Sequence, residues 1–210
     1  MYNYKKKALQ ILKKEVYILM EIDMEKRNRG IALAETLILT ALGAVILSFI
    51  FIRYRDINEQ KDIHRAVNIL ETVVQKYASK SMASKKSYSI YFDYSAKTVT
   101  VKDMKNEEVF EIKNLPEKLS YATPYDRQTQ RKIDFHTTIN GNLSKSFSVY
   151  IFGYSDTAKY RVAFYNFQQS RILRINIYKN KSAGDIHYSK ITDYHYKQEE
   201  NELREGWKKE

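Results

Sequence analysis

The most chemically pointed feature of this 210-residue chain is one carboxylate inside a long apolar run. Residues 31–52 read IALAETLILTALGAVILSFIFI, 22 residues in which Glu35 alone is ionisable. A charged acid in a bilayer costs about 3 kcal/mol on insertion scales and less near an interface. It is tolerated where a cation neutralises it, or where it lies near the headgroups and reaches them. Position alone leaves both readings open. Other reactive chemistry is sparse. The absence of Cys excludes disulfides, thiolate catalysis, Cys-ligated zinc and iron–sulfur clusters. The four histidines, His64, His136, His187 and His195, form neither HExxH nor a close pair, so they read as surface residues rather than metal ligands. No GxSxG, SxxK, GxGxxG or GxxxxGK[ST] occurs. No catalytic residue, metal or other cofactor is expected, and the chain does not read as an enzyme.

Charge supplies a second candidate. Lys and Arg number 36 against 25 acids, a net +11, of which residues 1–30 carry +4 and residues 31–210 carry +7. Lys159, Tyr160, Arg161, Arg171, Arg174 and Lys179 combine cations with an aromatic ring, a mixture able to hold DNA phosphates and stack on bases. A solvated basic surface, or one that meets acidic envelope polymers, is the preferred account of them over DNA contact. The 18 Tyr, with abundant Lys, Ile and Asn, match the codon bias of an AT-rich genome.

The element that must position Glu35 is a helix. At 1.5 Å per residue, 22 residues span about 33 Å, the hydrocarbon thickness of a bilayer. Lys26, Arg27 and Arg29 precede the run; Arg53 and Arg55 follow it. A soluble core helix is rarely apolar all round for this length. A secretory signal has a shorter apolar region and a small-residue cleavage site, whereas this run ends Phe51-Ile52-Arg53. A single membrane-spanning helix is therefore expected, and basic residues on both flanks leave its orientation open.

The stretch Lys26-Arg27-Asn28-Arg29-Gly30 followed by Ile31-Ala32-Leu33-Ala34-Glu35-Thr36-Leu37 resembles the prepilin signature of type IV pilins and type II secretion pseudopilins. That signature is a basic leader ending in Gly, an apolar residue, Glu five residues into the mature chain, and about twenty apolar residues. The resemblance implies cleavage after Gly30 by prepilin peptidase, N-methylation of the new terminus Ile31, and pairing of Glu35 with the terminal amine of a neighbouring pilin-like subunit. The first mature residue is usually Phe or Met, where this chain has Ile31. Many major pilins carry Pro near the end of the span, where this chain has Ile52; that favours a minor pseudopilin. The leader is 1–30, or starts at Met20 or Met24; MEKRNRG from Met24 is a compact leader, and residues 1–19 otherwise make a basic amphipathic helix. The family places the N-terminus inside the cytoplasmic membrane and the bulk outside it, in a periplasmic or extracellular filament serving secretion, pili or DNA uptake. Two alternatives stand beside it: a signal-anchored envelope binding module that never polymerises, and a basic DNA-binding tip subunit.

Beyond the span, Ile63, Val67, Leu70, Val74 and Tyr77 recur at steps of 4, 3, 4 and 3, one stripe of a helix that continues the span through 56–80. Residues 78–84 read as its end and a linker. From 84 to 195 the apolar period falls to two, with strands around 88–94, 99–101, 109–112, 133–139, 147–151, 160–167 and 171–178. Asn140-Gly141 and Ser95-Ala96-Lys97 suit turns, and 114–130, with Pro116 and Pro124, reads as a loop. The tail 196–210 is highly charged and reads as frayed or as a surface helix. The expected fold is α+β, a long N-terminal helix packed on antiparallel sheet, pilin-like. The run Arg171-Ile172-Leu173-Arg174-Ile175-Asn176-Ile177 loosely resembles the last strands of H-type minor and competence pseudopilins.

Overall fold

The computed structural model describes the backbone of residues 2–166, 173–181, 184–197 and 206–210, with side chains from residue 34 onward. The chain divides into two compact units, Met1–Asp56 and Ile57–Glu210. Helix α1 is assigned over Tyr2–Ser84. Among the described residues ten strands follow: β1 (Tyr88–Asp93), β2 (Thr98–Asp103), β3 (Val109–Asn114), β4 (Ser120–Tyr125), β5 (Gln128–Gln130), β6 (Lys132–His136), β7 (Phe147–Phe152), β8 (Ala158–Tyr165), β9 (Arg174–Asn180) and β10 (Trp207–Lys209). A short helix α2 (Ile191–Lys197) lies between β9 and β10. A four-stranded sheet has the order β3-β2-β1-β6, and a six-stranded sheet the order β10-β9-β8-β7-β4-β5. Every pairing is antiparallel. A long N-terminal helix followed by antiparallel sheets is the α+β plan expected from the sequence.

The unit Ile57–Glu210 is built on one stripe of α1. Ile63, Ala66, Val67, Leu70, Val73, Val74 and Tyr77 are buried, and Ala78 and Ser81 extend the stripe. The helix thus continues to Ser84, where residues 78–84 read as a linker. Ala78 and Ser81 are small enough to lie under the turn at residues 138–141, and the Ser81 and Thr137 hydroxyls hydrogen-bond at 2.5 Å. Gly141 has φ +77°, and a Cβ there would stand 3.1 Å from the Ala78 carbonyl, so glycine is required both by conformation and by close approach.

Tyr88, Ile90 and Phe92 of β1, Val99 and Val101 of β2, and Ile133 and Phe135 of β6 join this stripe in one core with Phe147, Val149 and Ile151 of β7 and Tyr160, Val162 and Phe164 of β8. Phe92 is fully buried where the sheets meet, 5.1 Å from the Phe135 ring and 6.2 Å from the Phe164 ring. Phe147 joins both sides, at 4.7 Å from Phe135 and 4.8 Å from Phe164.

Three expectations are corrected. Residues 114–130 contain β4 and β5 rather than a loop. Pro124 is compatible with a strand because β4 pairs with β7 only through Ser120, Tyr121 and Ala122; by Pro124 the ladder to β7 has ended and no N–H is needed on that side. The charged tail contributes β10, which pairs with β9 through Trp207, Lys208 and Lys209. Finally, a period of two over 147–151 implies one open face, with Ser148 and Tyr150 on it, but all of β7 is buried. A second cluster of Tyr150, Phe152, Ala122 and Ala158 with Ile186, Ile191 and Trp207 explains this.

Leu70 is fully enclosed in the main core, so Leu70→Ala should lower unfolding stability by about 2–5 kcal/mol. Leu47→Ala, at an exposed position of α1, should shift it by less than about 0.5 kcal/mol. Urea unfolding of the full chain in detergent, followed by circular dichroism, measures both.

Candidate functional site

Gly30 and Ile31 lie within α1. Glu35 follows Ile31 by four residues, about one turn and 6 Å of rise. The Glu35 side chain is exposed and has no partner among the described residues. Among the described residues nothing covers the apolar surface around it. Leu37, Leu39, Val45, Leu47 and Phe51 are each between 53 and 68% exposed, although they point in several directions around the helix. The part of α1 from Ala34 is long and apolar enough to cross a membrane, and its most apolar window is 0% buried. A core helix of a soluble protein would be covered by its own chain, so that alternative fails for the described residues. Polar side chains here are short and turned inward on the helix: Thr40 Oγ1 donates to the Leu37 carbonyl at 2.9 Å, and Ser48 Oγ to the Ala44 carbonyl at 2.8 Å. Back-bonding of this kind makes hydroxyls compatible with an apolar environment. Glu35 has no such internal solution, and so needs an external proton, cation or water.

The basic and aromatic residues are not gathered into one surface. Tyr160 is buried in the main core, where its hydroxyl donates to Glu210 Oε1 at 3.1 Å. Burial first, then the Glu210 charge, pushes that phenol up to about 12. Its ring is therefore not free to stack on a base. Arg161, the next residue on β8, faces the opposite side of the sheet, its guanidinium 4.9 Å from the centre of the Tyr178 ring. Lys179 sits 5.7 Å from the Tyr160 ring and Arg174 is exposed. Arg171 lies outside the described residues.

The histidines also separate. His64 and His187 are exposed and His136 is half-buried. His195 is not a surface residue: it belongs to α2, its Nδ1 is 2.9 Å from the Tyr150 hydroxyl, and the two rings meet edge-on at 5.8 Å. Burial, then the nearby Arg161 charge, lowers its pKa to about 4. Trp207 closes the same cluster, its Nε1 donating to the Tyr194 hydroxyl at 2.8 Å. The lone Trp in a charged tail was the available signal for this second core. No group of three His, Asp or Glu among the described residues could hold a metal.

No protein-family model matches the chain, and no curated protein matches it. Two solved structures of the minor pseudopilin EpsH from the type 2 secretion system of Vibrio cholerae are similar to it. One has 14% identity and a TM-score of 0.36, the other 12% and 0.39, each covering 58% of this chain and 94% of the EpsH chain.

His195 yields a pH dependence. With a folded pKa near 4 against an ordinary 6.5, the unfolded chain takes up the proton first as pH falls. Stability held above pH 6.5 should drop between about 6.5 and 4, on the order of 2 kcal/mol after allowance for partial exposure. Comparing urea unfolding of wild type and His195→Gln across that range isolates the contribution, and the variant should show a correspondingly shallower acid slope.

Proposed function

We propose that the protein is a minor pseudopilin, a non-enzymatic subunit anchored in the cytoplasmic membrane by α1 that joins or primes a type IV pilus-like filament. The observation that carries this reading is Glu35: the only ionisable residue in a helix segment apolar on every side, exposed, and one turn after Gly30-Ile31. Prepilin peptidase cleaves after Gly30 and leaves an α-amino group on Ile31, which is N-methylated. The terminal cation of one subunit then meets the Glu35 carboxylate of its neighbour, so that two charges unfavourable in lipid neutralise each other. The remaining exposed apolar surface is covered by lipid before assembly and by sister helices after it. A simple anchor has no use for the carboxylate, because an apolar residue there inserts at lower cost.

The test has two parts. Mass spectrometry of membrane-extracted protein should find a chain that begins with methylated Ile31, whereas an intact terminus at Met1, Met20 or Met24 in cells with active peptidase contradicts processing. Glu35→Ala should leave insertion and cleavage near normal but abolish crosslinking to other pilin-like subunits. Glu35→Gln should behave more like Glu35→Ala than like Glu35→Asp, since the proposed partner is a cation. Unchanged crosslinking in Glu35→Ala would favour an anchored module that never polymerises.

A further inference from the structure

The end strands of the two sheets are not equivalent. The four-stranded sheet ends in β3 and β6, and the six-stranded sheet in β10 and β5. An end strand presents unpaired N–H and C=O groups, which proteins guard with charge, short strands or covering segments. β5 and β10 are only three residues long, Gln-Thr-Gln and Trp-Lys-Lys. β6 exposes Lys132 and Asp134, and Ser144 covers its end. The Ser144 N–H donates to the His136 carbonyl at 2.9 Å, and the His136 N–H donates to Ser144 Oγ at 3.1 Å. β3 is the least guarded of the four. All of its six residues but Glu111 are exposed, and Val109, Phe110 and Ile112 are 48, 41 and 58% exposed. Among the described residues no strand pairs with its far side.

The ladder decides which backbone groups are free. A register shift at Val101/Lys102 makes Phe110 the extra residue of a bulge, and pairing is regular from Glu111 to Asn114. The Leu115 N–H donates to the Lys97 carbonyl at 2.8 Å, which sets the alternation. Glu111 and Lys113 therefore bond to β2, whereas Ile112 and Asn114 turn N–H and C=O outward. The two faces of this edge also differ. Val109 and Ile112 lie opposite Lys102 and Thr100, on the face away from α1. Glu111 and Lys113 lie on the α1 face, where Glu111 meets Lys76 at 2.6 Å and Lys113 at 3.3 Å. Lys80 of α1 places Nζ 4.8 Å from the centre of the Phe110 ring. Three lysines, Lys76, Lys80 and Lys113, thus stand beside the one carboxylate of β3. Opposed residues of two paired strands share a face. The complement of this edge is therefore apolar level with Ile112 and acidic level with Lys113.

We propose that the free edge of β3 is a docking site for an extended, alternately apolar and acidic segment of a partner protein, added antiparallel as a fifth strand of the four-stranded sheet. Main-chain hydrogen bonds at Ile112 and Asn114 supply affinity, and Ile112 and Lys113 select the side chains. The contact belongs to the globular unit and requires neither cleavage after Gly30 nor Glu35, so its failure is separable from failure of the filament reading.

The test uses a dye-labelled, amide-capped heptapeptide of alternating valine and glutamate. The full-length protein in detergent is titrated against it at neutral pH, and fluorescence anisotropy is read. Saturable binding with a midpoint below the millimolar range is expected. The same peptide with lysine in place of glutamate should bind at least tenfold more weakly. A version N-methylated at its valines, which cannot complete the ladder, should not bind. Ile112→Pro removes the outward N–H but no bond to β2, so it should abolish binding while the far-ultraviolet circular dichroism stays native. Lys113→Gln, at an exposed position, should weaken binding at least threefold. No saturable binding by the wild type, equally tight binding of the lysine or N-methylated peptide, or an unchanged midpoint in natively folded Ile112→Pro or Lys113→Gln would overturn the proposal. Disulfide linkage of Ile112→Cys chains to one another in membranes would also overturn it, because the occupant would then be a second copy.

Discussion

Burial of one stripe of α1 is the constraint on which the globular unit depends. From Ile63 to Ser81 the helix presents a continuous buried face, and both sheets turn their apolar sides into the same core. At about 25 cal/mol per Å² of apolar surface, a helix of this length is held far more by packing than by its own hydrogen bonds. The aromatic seam of Phe92, Phe135, Phe147 and Phe164 then closes the core where the sheets adjoin. The Tyr94 hydroxyl, which enters it, is paired with Thr123 at 2.7 Å.

The same helix obeys a different rule nearer its start. Over the apolar segment that contains Leu37 to Ile52 there is no stripe at all, because every face is apolar and exposed. Such a surface has no stable existence in water, and the two environments that suit it are lipid and other apolar helices. Glu35 restricts the choice further. Under the proposed processing, a carboxylate one turn from the new terminus would find a cation of matching depth on another copy of the same kind of helix. Processing, insertion and assembly are linked in this account by a single charge.

Much of this was legible in the sequence, for identifiable reasons. Ile63, Val67, Leu70, Val74 and Tyr77 announced their face through spacing, and all five are buried. The strands whose residues alternate, such as β1 and β2, were equally clear because one side faces the core and the other faces solvent. What escaped was set by distant partners. Pro124 reads locally as a loop residue, and only the switch of β4 from β7 to β5 makes it acceptable. Tyr150 alternates as an outward residue, yet α2 and β10 bury it. His195 looks like one more surface histidine until Tyr150 and Trp207 are brought around it by pairing between β9 and β10. For the candidate site, Glu35 and its spacing from Gly30 and Ile31 could be read directly, whereas the partner proposed for it lies on another molecule and would leave no trace within one chain.

The central claim is that the apolar half of α1 is shielded from water by lipid or by neighbouring helices, on all its faces. The chain has no cysteine, so single reporters can be introduced without background. Leu39→Cys, Leu47→Cys and Phe51→Cys, at positions each 68% exposed within the chain, are compared with Met82→Cys, 50% exposed in the globular unit. A water-soluble maleimide is applied to membranes opened to both sides. The account predicts rapid labelling of Met82→Cys and no labelling of the other three until detergent is added. Labelling of Leu47→Cys in intact membranes at the rate of Met82→Cys would contradict it.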